Sequence, residues 1–244
     1  MHELVAADHL LALTLAVFFP IRSATFGYRR LIRAPETEVP RMRVWLYRQA
    51  VVIQWTLSAL LLALWVWRRR SWSDLGLVWH GGTRTNLAVA VVVIVVAGVA
   101  LQLPRAFRDP DTLARIRRRL AHMPRMIPVS MDEMRLFYLL SFTAGVCEEL
   151  LFRGFLFWYA MHFMPWPWAA VVTVLLFGVG HSYQGPTGMI TTAIAGSVFM
   201  GLYLASGSLY LSMLVHMLTD SYSGTVGRRA FAAEPPAITG VPPF

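Results

Sequence analysis

Apolar residues come in blocks along this chain, each close to the length of a membrane-crossing helix and each bounded by arginine, proline or glycine. A helix rising 1.5 Å per residue needs about 20 apolar residues to cross a bilayer core. Seven such blocks can be drawn. The first covers about 9–27, the second about 46–67, stopped by Arg68, Arg69 and Arg70, and the third about 86–104. The fourth covers about 135–163, the fifth 166–183, the sixth 187–206 and the seventh 208–227. The expected fold is all-α, a polytopic transmembrane helical bundle of seven to eight spans. It divides into N-terminal helices with a basic connection (1–134), a core of four spans (135–227) and a flexible tail (228–244) rich in proline.

Composition agrees with this class. Hydrophobic residues make up 57% of the chain and charged ones 14%, with a mean hydropathy of +0.54. A soluble domain carries about 25% charged residues to cover its core. The net charge of +9 comes from 22 basic residues, all arginine. They lie mainly between the apolar blocks, which points to anionic lipid headgroups rather than nucleic acid. Most fall between spans one and two, between spans three and four, and after span seven. The positive-inside rule then puts the N-terminus outside and the C-terminus in the cytoplasm, although Arg68, Arg69 and Arg70 fall on the outer side. A basic set made only of arginine suits a high-GC bacterium, hence a multi-pass protein of the bacterial inner membrane. In "DTLARIRRRLAHM", Leu113, Ile116, Leu120 and Met123 share one helical face, as in a helix lying at the inner interface. The alternative is a solvated basic loop. "MHELVAADHLL" lacks the basic start of a cleavable signal and reads as the flank of span one. Cys147 is the sole cysteine, so no intrachain disulfide forms.

Against this oily background the polar residues stand out. Glu148, Glu149, Arg153 and Asp220 fall inside expected spans, joined by His181 and His216. A charge at mid-bilayer costs about 2.5–3.5 kcal/mol on insertion scales, so these groups should face one another or a wet cavity. Glu149 and Arg153 are four residues apart and can pair along one helix face. Glu148 is turned about 100° away and is free to exchange protons with another partner. One carboxylate is thus expected to brace and the other to react. His216 and Asp220 share a face of span seven, where the carboxylate can orient the ring. Helix arithmetic puts Glu148 about 20 Å into span four, deeper than His181, so the helices must tilt or distort to bring them together. A cavity opening from the cytoplasm would gather the set. Cys147 faces about 100° from Glu148 and reads as a small buried residue. His2, His9, His80, His122 and His162 receive no role. In span six, Ala193, Ser197 and Gly201 form a small-residue stripe that reads as helix packing.

"EELLFR" (148–153), "FGVGH" (177–181) and "HMLTD" (216–220) fit E-E-x-x-x-R, F-x-x-x-H and H-x-x-x-[ND] in order. The chain resembles the CPBP (ABI) family of intramembrane proteases, related to the type II CAAX prenyl endopeptidase, over about 135–225. "SDLGLVW" (73–79) is also similar to a segment found upstream in bacterial members. The resemblance implies a glutamate-dependent endopeptidase in which Glu148 and His181 activate water. His216 and residue 220 would stabilise the oxyanion, and Glu149 and Arg153 would brace the site. Position 220 is Asp where the prenyl-protease branch typically has Asn. It must be protonated, orient His216, or bind a cation.

No cofactor is expected. Two histidines and the carboxylates leave a divalent metal such as zinc open, although the paired-histidine helix of H-E-x-x-H enzymes is missing. The expected partner is a membrane-anchored protein or lipopeptide, cut at its C-terminal anchor or leader, with no substrate-binding residue assigned. A non-catalytic membrane protein such as a bacteriocin-immunity factor is the alternative, followed by a proton-coupled transporter.

Overall fold

The computed structural model describes residues 3–232 apart from 23, 24, 26 and 122. Its elements are all helical among the described residues. Helix α1 begins as Ala6–Leu13, widens into a π-helical stretch Thr14–Phe18 and ends as Phe19–Arg22. The short α2 (Tyr28–Arg33) leads to α3 (Val39–Trp67) and α4 (Thr83–Ala106). Helix α5 (Pro110–Leu120) follows. Helix α6 starts as Met131–Glu148, becomes π-helical over Glu149–Leu156 and closes as Phe157–Ala160. Helices α7 (Trp166–Gly180), α8 (Gly185–Ser206) and α9 (Leu209–Ala232) complete the bundle.

By length and composition, three helical stretches among the described residues could cross a membrane: Val39–Trp67, Thr83–Arg105 and Ser182–Ser206, with Trp166–Gly180 a shorter apolar helix. Seven spans were expected. Helices α6 and α9 have comparable reach, but the polar residues of interest lower their apolar character. Helix α3 starts at Val39 rather than near 46, and α9 continues to Ala232, past the expected start of the tail. The rest of that tail, His2 and His122 lie outside the described residues.

Local chemistry explains where the elements start. Ser130 caps α6: its hydroxyl accepts from the Glu133 amide at 3.1 Å, and Glu133 Oε2 accepts in return from the Ser130 amide at 3.2 Å. The same carboxylate accepts from Arg43 Nη1 at 2.7 Å, pinning the start of α3 to the start of α6. Asp109 caps α5 and Pro110 occupies its first turn. Helix α5 forms as its apolar face predicts, but Leu113 is buried and Arg117 Nε donates to the Ala230 carbonyl, so that face meets α9.

Helix α6 is the hub. Helix α3 runs parallel to it, with contacts climbing from Arg43–Glu133 through Gln54–Glu148 to Trp65–Trp158. Helix α9 runs antiparallel, from Tyr138–Thr225 to Glu149–His216. Every residue of the π-helical stretch is buried. The core around it includes Leu15, Trp65, Phe155, Phe157, Trp158 and Leu209. In a bilayer, lipid is as apolar as these side chains, so association rests on packing rather than on escape from water. At the far end, Gly76 has φ +72° and a Cβ there would meet Tyr203 at 2.5 Å, so the "SDLGLVW" segment can fold tightly over the bundle. The Gly76 carbonyl there accepts from the first amide of α9.

The small-residue stripe on α8 is only partly a packing seam. Ala193 lies 3.0 Å from where a Cβ of Gly178 would sit, whereas Ser197 is exposed and Gly201 meets nothing within 4 Å. The glycine that matters is Gly196, where a Cβ would come within 2.8 Å of Arg153 Nη2. Gly178 makes room for α8.

Candidate active site

The π-helical stretch begins at the carboxylate pair. Glu148 is the last α-helical residue and Glu149 the first in the wider turn, which changes the angle at which successive side chains leave the helix. This is the distortion that the depth of Glu148 demanded. It brings residues from α3, α6, α7, α8 and α9 to one point.

Glu149 and Arg153 are buried and paired, with Arg153 Nη1 3.0 Å from Glu149 Oε1. Arg153 Nη2 donates to the Gly196 carbonyl at 3.1 Å, and the guanidinium lies 4.0 Å from the Phe177 ring centre. Losing only one partner of such a buried pair leaves an uncompensated charge and costs about 3–5 kcal/mol. The same Glu149 oxygen accepts from His216 Nδ1 at 2.9 Å. Sequence reasoning gave the orienting role to Asp220, but Asp220 Oδ2 lies 3.7 Å from His216 Nε2. Glu149 therefore fixes the ring, and Asp220 faces its other nitrogen. Phe199 stacks on His216, with ring centres 4.6 Å apart and planes 17° from parallel.

Glu148 behaves differently. Its Oε1 accepts from Gln54 Nε2 on α3 at 2.8 Å, while Oε2 is buried with no hydrogen-bond partner. That oxygen lies 3.9 Å from His181 Nε2 and 4.0 Å from His216 Nε2. These separations are too long for direct hydrogen bonds and suit groups that act on a shared water or substrate atom. His181 Nδ1 is 2.9 Å from the Phe177 carbonyl. A carbonyl only accepts, so Nδ1 carries the proton and Nε2 of the neutral ring is an acceptor facing Glu148.

All six expected residues thus meet at one place. Gln54, Gly196 and Phe199 were not anticipated. Gln54 had a readable signal, an amide inside the apolar run "VVIQWTLS". Gly196 and Phe199 had none. Cys147 is buried and lies outside these contacts. His9 bonds to the Tyr159 hydroxyl and His162 to the Trp158 carbonyl, both away from the site, and His80 packs beside Gly207. Among the described residues, no group of three or more His, Cys, Asp or Glu side chains is disposed to hold a metal ion.

Three carboxylates, two imidazoles and a guanidinium thus lie together inside the helical bundle, with Glu148, Glu149, Arg153 and His216 buried. Residues 131–222 match the family model described as type II CAAX prenyl endopeptidase Rce1-like, so this segment is similar to a CAAX-protease-like domain. That similarity, together with the long apolar helices, supports a membrane peptidase at the coarse level. The matched segment contains all six expected residues but not α3. No curated protein and no solved structure showed significant similarity to the chain.

Proposed function

We propose that the chain is a glutamate-dependent intramembrane endopeptidase that cuts its substrate near the membrane end. One observation carries this reading. A buried carboxylate oxygen without a partner, Glu148 Oε2, faces two imidazole nitrogens at 3.9 and 4.0 Å. Glu148 would take a proton from water while His181 Nε2 accepts a hydrogen bond from that water. The water oxygen then bonds to the scissile carbonyl carbon, whose electron pair moves onto oxygen. His216, bonded through Nδ1 to Glu149 and facing Asp220 through Nε2, would donate Nε2–H to that oxyanion. Collapse re-forms the carbonyl, breaks the C–N bond and passes the proton from Glu148 to the departing amine. Arg153 acts through Glu149, and Gln54 acts by holding Oε1 so that Oε2 points at the reaction centre. No step requires a cofactor.

The substrate we favour is a membrane-anchored protein or lipopeptide whose C-terminal anchor or leader is removed. The setting is the inner membrane of a bacterium, with the site open to the cytoplasm. Asp220 is the most exposed of the six residues, its side chain 38% accessible, and it lies on the side of His216 nearer the arginine-rich end of α9. That is the end expected to face the cytoplasm.

The test compares membrane-protein termini by mass spectrometry in cells carrying wild type or Glu148→Gln at matched expression. Anchors or precursors that persist uncut only with the variant establish proteolysis and reveal the substrates. Unchanged termini, with the wild-type phenotype retained by the variant, would replace the proposal with a binding role such as immunity.

A further inference from the structure

A second feature lies at the arginine-rich end, where the parallel helices α3 and α6 begin. A hollow of about 580 Å³ opens between them, lined by Arg41, Trp45 and Arg48 among others from α3 and by Asp132, Glu133 and Leu136 from α6. A smaller hollow of about 270 Å³ adjoins it, sharing Arg41 and Trp45 and adding Arg30 from α2. Arg30 lies 5.8 Å from the Trp45 ring centre.

The charges there are unbalanced. Among the described residues, Arg30, Arg41 and Arg48 form no ion pair. The acidic neighbours are mostly engaged: Glu133 pairs with Arg43 at 2.7 Å and Asp132 with Arg135 at 2.8 Å. Glu38, on the rim of the smaller hollow, is the remaining carboxylate there. Arg41 and Arg48 are exposed, so nothing in the fold requires their charge.

Polarity is also graded along the two helices. Beyond the hollow α3 and α6 close on each other, where Trp55 Nε1 donates to Thr143 Oγ1 at 3.1 Å. Exposed apolar side chains continue along their outer surface, Val52 on α3 and Leu139 and Phe142 on α6, which are 63%, 48% and 48% exposed. The two helices therefore present guanidiniums and an indole at the hollow, then an exposed apolar surface. An isolated inorganic anion would satisfy only the hollow, and a neutral lipid only the apolar surface.

We infer that this hollow binds one anionic phospholipid, its phosphate diester held by Arg41 and Arg48 beside Trp45 and an acyl chain lying along the exposed apolar surface of α3 and α6. Guanidinium forks suit phosphate oxygens, and tryptophan belongs at headgroup level. The inference does not depend on the endopeptidase reading. It would, however, place a lipid against the two helices that contribute Gln54 and Glu148.

Native mass spectrometry of the purified full chain tests it, with phosphatidylglycerol and phosphatidylcholine of identical acyl chains as probes. Wild type should retain phosphatidylglycerol selectively. The double variant Arg41→Gln, Arg48→Gln should bind it about 30-fold more weakly, since each interfacial arginine contributes about fivefold. The control Arg108→Gln, Arg118→Gln removes two exposed charges elsewhere and should leave retention unchanged. Equal retention of both lipids, an undiminished double variant, or an equal loss in the control would overturn the site. So would complete displacement of the lipid by an equimolar amount of glycerol phosphate, which would show that only the phosphate is recognised. Filling the hollow with Val44→Trp, which keeps every charge, should also lower retention. If it does not, the acyl chain lies elsewhere.

Discussion

Two of the buried arginine–carboxylate pairs, Arg70–Asp8 and Arg153–Glu149, are built alike and finished differently. At the far end of the bundle, Arg70 meets Asp8 through two hydrogen bonds of 2.7 and 2.6 Å, and both side chains are wholly buried. Trp65 and Trp158 flank the guanidinium, with ring centres 5.1 and 4.6 Å away. The Val5 amide adds a further bond to Asp8, so both carboxylate oxygens are engaged. In the candidate active site, Arg153 also sits among aromatic rings, but it engages one oxygen of Glu149 and leaves the other without a partner. That single oxygen is shared with His216. In the first pair both carboxylate oxygens are taken up, leaving only Arg70 Nε without a partner, and the pair fastens α1 to the bundle. The second spreads its bonds to a histidine and a neighbouring helix, so its state is felt where chemistry is proposed.

Experiments can sharpen this contrast. The largest expected effect belongs to Glu148→Gln, which should lower cleavage by about 10³-fold, measured on a substrate found by terminus mapping, while thermal unfolding stays near wild type. Next, Asp8→Asn should cost about 3–5 kcal/mol by leaving Arg70 buried without a counter-charge. Unfolding in detergent would show it, and a double change, Asp8→Leu with Arg70→Met, should recover much of that loss while cleavage per folded molecule is unaffected. If the double change also abolished cleavage, the fastening role would be refuted. Gly196→Ala comes third, since its methyl must displace Arg153; about 1–3 kcal/mol of overpacking is expected, with cleavage reduced beyond the loss of folded protein. Gln54→Met conserves volume but removes the donor to Glu148 Oε1. It should reduce kcat about tenfold with little change in KM and should shift the pH profile, which a purely structural role would not do.

Much of this was legible beforehand because carboxylates, a guanidinium and imidazoles are conspicuous in apolar runs, where each is expensive. The helical class and the convergence of Glu148, Glu149, Arg153, His181, His216 and Asp220 followed from that cost and from spacing. What sequence did not reveal depends on contacts between distant elements. Arg70 read as a topological charge on the wrong side, yet its partner Asp8 removes it from that count. Glu149, not Asp220, holds His216, because the α-to-π change re-aims the side chains that follow Glu148. That change has no marker in "CEELLFRG" beyond the depth mismatch it resolves. Gly196 and Phe199 matter only through the side chains placed against them.

Gln54 has a consequence for what counts as one unit of inheritance. The recognisable domain ends where the resemblance ends, at 131–222, yet the amide beside its principal carboxylate comes from a helix far upstream. A transplant of the recognised segment into another scaffold would carry the acid without its companion. Selection on this activity would bind the two stretches together, and divergence in α3 would be constrained at one residue while its lipid-facing neighbours drifted.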